Sequence, residues 1–354
     1  MIPVCSADKL QEACQRKLLR SAGTLQILNS FYKTDNLLCQ SFVYIHLICY
    51  NLPSMILVTG GTGFIGRELI AYLTKIGYPV RILLKPSQVS PNIPVGIPLE
   101  VAVCSLNDER GLRAAMKNVD VVFHLASAER LGSRARLAEV DVDGSANVAR
   151  AGAEANLERI YFLSHLGADK ASAYPVLKAK SLAEQAIMHS GVPYTIIRTS
   201  HVFGPGDQFT TGIYRLLKRM KLVFFLPGDG STLLQPLYIS DLMACFNLVM
   251  QDSASKNKTI TIGGGEMLTY RNIVEIIMQK TSIRRTLISI PPAYLRMISL
   301  FVEQSFPDFP ISLLWLDTLS ADRTTETDIL PRQFGLIPSR FHQNLDYLLV
   351  GKKA

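Results

Sequence analysis

Between residues 55 and 200, short runs of apolar, β-branched residues alternate with stretches in which apolar residues recur every three or four positions. The short runs are typical of strands buried on both faces, and the longer stretches of amphipathic helices. The alternation therefore predicts right-handed βαβ units and a doubly wound parallel sheet. The predicted strands are 56–59, 80–84, 100–103, 121–125, 160–163 and 194–197, and the predicted helices are 108–116, 136–155 and 176–189.

A glycine-rich turn follows the first predicted strand directly, with Gly60, Gly63 and Gly66 three positions apart. Gly60 permits the tight turn, Gly63 lets the backbone approach a pyrophosphate, and Gly66 lets helix and strand pack closely. The following helix presents free N–H groups and the positive end of its dipole to the phosphates. We therefore predict a dinucleotide site with contacts from Gly60, Thr62, Gly63, Phe64, Ile65 and Gly66.

The second strand indicates which dinucleotide is bound. An NAD-preferring site places an acid about 20 residues after the glycines, where it accepts from the ribose 2′-hydroxyl. No acid occurs between Glu68 and Glu100, and the strand carries Arg81 and ends before Lys85. Because a cation pairs with a 2′-phosphate, we predict NADP(H) over NAD(H), with Arg81 and Lys85 as contacts. The alternatives are NAD(H) binding and a Lys85 that merely ends a surface strand.

The motif also divides the chain. Residues 1–54 contain four of the six cysteines and one glycine, unlike the rest. We predict that this extension is disordered or reflects a misassigned start at Met1, with Met55 as the true one; a targeting sequence and a membrane-touching segment are alternatives. Its apolar run, 37–52, is too short to span a bilayer. Residues 55–200 form the predicted nucleotide-binding core and 201–350 a second region.

Composition excludes several classes of function. The net charge of the 354-residue chain is +8, without any block of like charges, so nucleic acid is not an expected partner. The cysteines lack C-x-x-C spacing and the six histidines are scattered, so we expect no metal site. We expect a reducing compartment, the cytoplasm.

Six further segments extend the pattern: VVFHLAS (121–127), VDVDGSAN (140–147), LSHLG (163–167), IRTSHVFGP (197–205), LPGDG (226–230) and QPLYISD (235–241). With the glycine motif, they resemble the extended and atypical short-chain dehydrogenase/reductases, which are NAD-dependent epimerase/dehydratase-like. Within that superfamily the chain is similar to bacterial relatives of the NADPH-binding alpha subcomplex subunit nine of respiratory complex I.

The resemblance implies a Rossmann-type fold whose smaller C-terminal α/β region, 201–350, completes the sheet and covers the nicotinamide end. By the same resemblance, the Ala126 backbone would line the cofactor ribose and Thr199 would lie near the nicotinamide. Ser105 and Leu106 would flank the adenine, although the family often has Asp where this chain has Ser105. His124, on a core strand, is expected to be a packed histidine.

The family's catalytic residues are a Tyr acid, a Lys four residues later on the same helix face, and a Ser that polarises the carbonyl. Tyr174 and Lys178 match this spacing. However, the family has Glu four residues after the Lys, and Lys180 with Glu184 fits that register, which puts Val176 at the Tyr position. Both registers stay open, with Lys180 the expected ribose-binding lysine and Tyr174 the candidate acid.

The residue at the position of the catalytic serine also has two candidates. Ser164 is the candidate that ends the fifth strand, and His165 is the alternative occupant of that position.

Two functions remain open at this point. The first is an NAD(P)H-dependent oxidoreductase or epimerase acting on a carbonyl or sugar-like small molecule. The second is a non-catalytic NADPH-binding accessory or assembly protein of a membrane complex such as respiratory complex I. Residues 291–316 are unusually apolar, which predicts either helices packed on the domain or a peripheral contact with a membrane or membrane-associated complex.

Overall fold

The computed structural model describes residues 55–87, 89–91, 93–94, 96–305 and 312–349. The predictions for 1–54 lie outside these residues. The strands are β1 (Ile56–Thr59), β2 (Val80–Leu84), β3 (Glu100–Val103), β4 (Val121–His124), β5 (Arg159–His165), β6 (Tyr194–Thr199), β7 (Val202–Phe203), β8 (Val223–Pro227), β9 (Leu233–Leu234), β10 (Leu237–Tyr238), β11 (Lys258–Ile262), β12 (Leu268–Thr269) and β13 (Thr286–Ile290).

The α-helices are α1 (Phe64–Lys75), α2 (Glu109–Ala115), α3 (Gly144–Glu154), α4 (Pro175–Met188), α5 (Phe209–Arg219), α6 (Ile239–Gln251), α7 (Tyr270–Thr281), α8 (Pro292–Ser305), α9 (Leu313–Asp317) and α10 (Ile329–Phe334). A π-helical turn, Ala138–Asp143, leads into α3, and a short 3-10 segment, Glu129–Arg134, follows β4. The predicted helix 136–155 therefore begins with a wider turn than an α-helix has.

The central sheet has seven strands in the order β11-β6-β5-β4-β1-β2-β3, and every neighbouring pair is parallel. The chain builds the sheet outward from β1 in one direction and then from β4 in the other. The strand order therefore reverses between β1 and β4, and ligands of such sheets bind at the carboxyl ends there. This confirms the predicted doubly wound, Rossmann-type parallel sheet.

Apolar side chains cover both faces of the sheet. Residues of α1 and α6 pack on one face and residues of α2, α3 and α4 on the other, and all four residues of β1 are buried between these layers. A separate apolar cluster holds α5 and α7 of the C-terminal region together. In the described part of the chain, no helix is long and apolar enough to cross a membrane.

Candidate functional site

The glycine-rich turn joins β1 to α1 at the reversal point of the sheet. Gly60 has φ +72°, and a Cβ there would lie 2.6 Å from the Ala126 backbone nitrogen in the loop after β4. A Cβ on Gly66 would collide with the Gly60 carbonyl oxygen. Only glycine therefore lets these three backbone segments approach one another.

The N-terminus of α1 is open to a ligand. Gly63 is the N-cap residue, and no side chain caps the first turn, which contains Phe64 and Ile65. Free N–H groups at a helix N-terminus attract anions such as a pyrophosphate. The turn, with Thr62 exposed at its tip, therefore fits the diphosphate of a dinucleotide.

The two cations predicted to contact the 2′-phosphate have different surroundings. Lys85 follows the carboxyl end of β2, is exposed, and has no hydrogen-bond or ion-pair partner among the described residues. Arg81 lies near the other end of β2. Its guanidinium is bound to Glu100 at 2.6 Å and to the carbonyl oxygens of Ala115 and Lys117 at 2.7 and 2.8 Å. Contrary to the sequence prediction, Arg81 therefore lies outside the candidate site.

Ser105 and Leu106 lie in the turn after β3, on the same sheet edge as Lys85. The Ser105 Oγ accepts a hydrogen bond from the Asn107 backbone nitrogen at 3.3 Å. The Leu106 carbonyl oxygen accepts one from Asn147 Nδ2 at 3.0 Å, which ties the turn to α3. Both residues are partly exposed. Their role beside the adenine stays a prediction.

A buried polar chain links β1 to α3 through His124. Thr59 Oγ1 lies 2.7 Å from His124 Nδ1, and His124 Nε2 lies 2.8 Å from Ser145 Oγ, which donates to the Asp141 carbonyl oxygen at 2.5 Å. This network assigns the proton to Nε2 and leaves Nδ1 as acceptor. Burial, reinforced by the charge of Lys180, lowers the pKa of His124 to about 3. His124 is thus a neutral, satisfied core residue.

Lys180 is buried on α4. Its Nζ lies 3.2 Å from Asp141 Oδ1 and 5.3 Å from the centre of the Phe162 ring. The other oxygen of Asp141 accepts from the Ala128 backbone nitrogen at 2.9 Å. Lys180 therefore neutralises the carboxylate that fixes the loop after β4. Direct contact of Lys180 with the cofactor ribose stays a prediction.

The register of α4 is fixed by Glu184, which forms two hydrogen bonds with Arg198 of β6. In this register Val176, buried on the helix, occupies the position of the family's tyrosine relative to Lys180. Tyr174 is the N-cap residue of α4 and so precedes the helix, and Lys178 is exposed. Tyr174 and Lys178 therefore do not share a face of α4 that is turned toward the protein.

Ser164 and His165 are consecutive on β5 and so point to opposite faces of the sheet. Ser164 is buried, and its Oγ has no hydrogen-bond partner in the described part of the chain. The Thr199 hydroxyl, at the end of β6, lies 3.5 Å from the Ser164 carbonyl oxygen. These polar atoms lie at the carboxyl ends of β5 and β6, the sheet edge at which such folds bind ligands.

His165 and Glu129 form a pair with acid–base character at the carboxyl end of β5. Its Nε2 lies 2.8 Å from Glu129 Oε2, and about a quarter of each side chain is exposed. Although burial raises the pKa of Glu129, the charge and hydrogen bond of His165 outweigh it and lower that pKa to about 2. Glu129 is therefore an anion that orients the imidazole of His165.

The C-terminal region adds residues that sequence reasoning did not single out. His201 is partly buried, and its Nε2 lies 3.1 Å from Thr318 Oγ1. Arg323 is buried beside β9, where its backbone nitrogen donates to the Leu233 carbonyl oxygen at 2.9 Å. Glu129 and Arg323 are 194 positions apart in sequence, and no spacing rule relates them. The charge of Glu129 nevertheless acts on the pKa of Arg323, which burial lowers.

Comparison with known proteins gives one family and several relatives. The sequence pattern of the NAD dependent epimerase/dehydratase family matches residues 56–263. The chain is 28% identical over 231 residues to an Arabidopsis thaliana NADH dehydrogenase (ubiquinone) 1 alpha subcomplex subunit 9, covering 62% of this chain and 56% of the relative. It is 29% identical over 165 residues to a Caulobacter vibrioides ceramide reductase, covering 47% and 51%.

The chain thus spans about half the length of these curated relatives. Among solved structures, a UDP-glucose 4-epimerase from Thermotoga maritima is similar, with a TM-score of 0.63 and 20% identity, covering 84% of this chain and 99% of that one. An epimerase from Methanothermobacter thermautotrophicus has a TM-score of 0.65, also at 20% identity, covering 86% and 96%. At such identities the likeness supports the fold alone.

Proposed function

Because the chain belongs to the NAD dependent epimerase/dehydratase family, we propose that it is an NADP(H)-dependent oxidoreductase acting on the carbonyl or hydroxyl group of a small molecule. The observation that carries this proposal is the Glu129–His165 pair. It lies at the carboxyl end of β5, the edge at which sheets of this kind bind their ligands. The domain assignment is part of the proposal, with 55–200 holding the cofactor and 201–350 contributing to the substrate site.

The cofactor contacts are proposed from the fit of the chain to a dinucleotide. The open N-terminus of α1 and the glycine cradle would hold the diphosphate. Lys85, which is exposed and without a partner among the described residues, would bind the 2′-phosphate and favour NADP(H) over NAD(H). When bound, the nicotinamide would supply or accept the hydride.

His165 is the proposed proton donor. Val176 stands where the family resemblance places the phenol, and no phenol lies on that face of α4. Lys180 is engaged with Asp141, and α4 itself contains no tyrosine whose pKa Lys180 could lower. An imidazole hydrogen-bonded to a carboxylate can instead donate a proton to the substrate oxygen during reduction and accept it during oxidation. Ser164 Oγ, which is buried and has no partner among the residues that the structure describes, would hydrogen-bond to a polar group of the substrate.

The experiment that tests this function starts from the protein loaded with NADPH. It is mixed with separate panels of aldehydes, ketones and 2-oxo acids, and the fluorescence of bound NADPH is followed. We expect loss of the signal with at least one class, with stoichiometric formation of the alcohol. Binding of NADPH without oxidation by any class would contradict the oxidoreductase and favour the second candidate.

The second candidate is a non-catalytic, NADPH-binding accessory protein that docks on a membrane-associated complex. It is favoured by an apolar stripe on α8, where Tyr294, Met297, Ile298 and Phe301 are all at least half exposed. Their spacing places them on one helix face. Such a stripe exceeds the scattered apolar residues normal for a surface.

Replacing Met297 and Phe301 with serine tests the docking candidate. Loss of co-fractionation with membranes, while NADPH binding is kept, would support docking. Unchanged fractionation would count against it.

A further inference from the structure

Arg323 is a buried cation without an ion-pair partner among the described residues. Its relative exposure is 5%, and its buried Nε has no hydrogen-bond partner among the described residues. The backbone of Arg323 is held in place by an isolated parallel β-bridge to Leu234, the last residue of β9. A buried guanidinium with unused N–H donors is costly unless something else binds it.

The neighbouring carboxylates are each engaged with another cation. Glu129 pairs with His165, and Asp317 pairs with Arg296 on α8. Asp141, deeper in the core, pairs with Lys180. The charges of Glu129 and Asp317 reach Arg323 through space, and no ion pair joins either of them to Arg323 among the described residues. Once each carboxylate is assigned to its nearest cation, Arg323 is the uncompensated positive charge of this part of the site.

His201 adds a second unused polar atom. Burial and, after it, the charge of Arg323 lower the pKa of His201 to about 3, so the ring is neutral. Thr318 Oγ1 donates its own proton to the Trp315 carbonyl oxygen, so His201 Nε2 donates to Thr318 Oγ1. His201 Nδ1 is then a buried acceptor without a partner within the described ranges. A hydroxyl or carbonyl-hydrate group of a ligand could donate to it.

We propose that Arg323 binds a carboxylate of the substrate, so that the substrate is an oxo or hydroxy acid. This proposal rests on the proposed function for the location of the reacting group. One uncompensated cation matches the single charge of a carboxylate, and the planar guanidinium matches its two oxygens. A phosphate carries more charge than Arg323 alone would balance. Arg323 is here a specificity residue, and His165 remains the proposed proton donor.

The test compares the wild-type chain with Arg323→Gln and Arg323→Lys. Arg340→Gln, an exposed arginine of the same region, is the control. Thermal unfolding is measured in sodium acetate, lactate and benzoate, and in chloride and inorganic phosphate at the same ionic strength. Binding to the folded state raises the midpoint of unfolding in proportion to ligand occupancy.

We expect a carboxylate to stabilise the wild-type chain and Arg340→Gln relative to chloride. In Arg323→Gln its apparent affinity should fall at least about tenfold, the equivalent of a charge-assisted hydrogen bond. Arg323→Lys should recover part of the effect. Without added anions, Arg323→Gln should be at least as stable as the wild type, because it removes a buried, uncompensated charge.

Two results would overturn the proposal. Stabilisation by phosphate alone, lost in Arg323→Gln, would assign a phosphate-bearing ligand. Absence of any carboxylate effect, together with a lower midpoint for Arg323→Gln, would make Arg323 a structural counter-ion of Glu129 and Asp317. NADPH affinity is measured in parallel to separate the two proposals. If the protein does not bind NADPH, the proposed function is refuted, and the carboxylate result is then judged by itself.

Discussion

Glu184 of α4 and Arg198 of β6 are joined by two hydrogen bonds, Nε to Oε1 at 2.9 Å and Nη2 to Oε2 at 2.6 Å. Glu184 is almost completely buried, so the pair ties the helix to the sheet in a single register. That register places Lys180 one turn earlier, against Asp141, and Val176 one turn before Lys180. The packing of α4 therefore fixes Val176, and not a phenol, at the position one turn before Lys180.

Replacing Glu184 with glutamine should destabilise the protein by about 3 kcal/mol, because it leaves Arg198 partly buried without its counter-charge. The free energy of unfolding from denaturant titration measures this. Arg332→Gln is the matched control, since its partners Glu326 and Asp328 are exposed. It should cost less than about 1 kcal/mol. Equal effects would show that the Glu184–Arg198 pair does not fix α4.

Replacing Lys85 with alanine should weaken NADPH binding about tenfold, the loss expected for a hydrogen bond to a charged group. NADH binding should be unchanged, because NADH lacks the 2′-phosphate. Titration of each cofactor into the wild type and the variant gives both affinities. Arg81→Gln should leave the NADPH/NADH ratio unchanged because Arg81 is held by Glu100. A ratio that depends on Arg81 and not on Lys85 would reverse this assignment.

Gly60 and Gly63 should respond differently to substitution. Gly63 has φ −74°, and a Cβ there would lie 3.2 Å from the Gly60 carbonyl oxygen, a tight contact that a small shift relieves. Gly63→Leu should therefore keep the fold while its side chain obstructs the N-terminus of α1 and abolishes NADPH binding. Gly60→Ala should lower the unfolding midpoint, because its φ is +72° and its Cβ would collide with backbone. Cofactor titration and thermal unfolding of both variants test this contrast.

Protein stability should fall in mild acid because His124 is buried in its neutral form. Its pKa is 6.5 in the unfolded chain and about 3 in the folded one. Its contribution is therefore complete above pH 6.5 and is lost as the pH falls from 6.5 to 3. The loss is at most about 1.4 kcal/mol per pH unit for one histidine.

His124→Gln should flatten that dependence, and His189→Gln, at the exposed end of α4, should not. Denaturant titrations at pH 7, 6, 5 and 4 give the slopes. Parallel slopes for the wild type and His124→Gln would show that another group governs the acid response.

Local patterns carried enough information to predict the strands of the sheet and the glycine-rich turn. Strands buried on both faces leave continuous apolar runs, and the turn requires glycine at positions such as Gly60 for steric reasons. The role of Arg81 was predicted wrongly, because contact with the ligand depends on the end of β2 at which a residue lies and not on its charge alone. Glu129, His201 and Arg323 come from three separate segments, and only tertiary packing brings the neutral imidazole near the two charges.

The most direct test of the central claim compares single-turnover oxidation of bound NADPH in the wild type, His165→Asn and Tyr174→Phe. The substrate is the carbonyl compound that the panel identifies. We expect His165→Asn to slow the reaction by about 100-fold or more, as loss of a general acid does. NADPH affinity should be unchanged, and Tyr174→Phe should react at the wild-type rate. Wild-type rates for His165→Asn, or a large loss for Tyr174→Phe, would contradict the assignment of His165 as the proton donor.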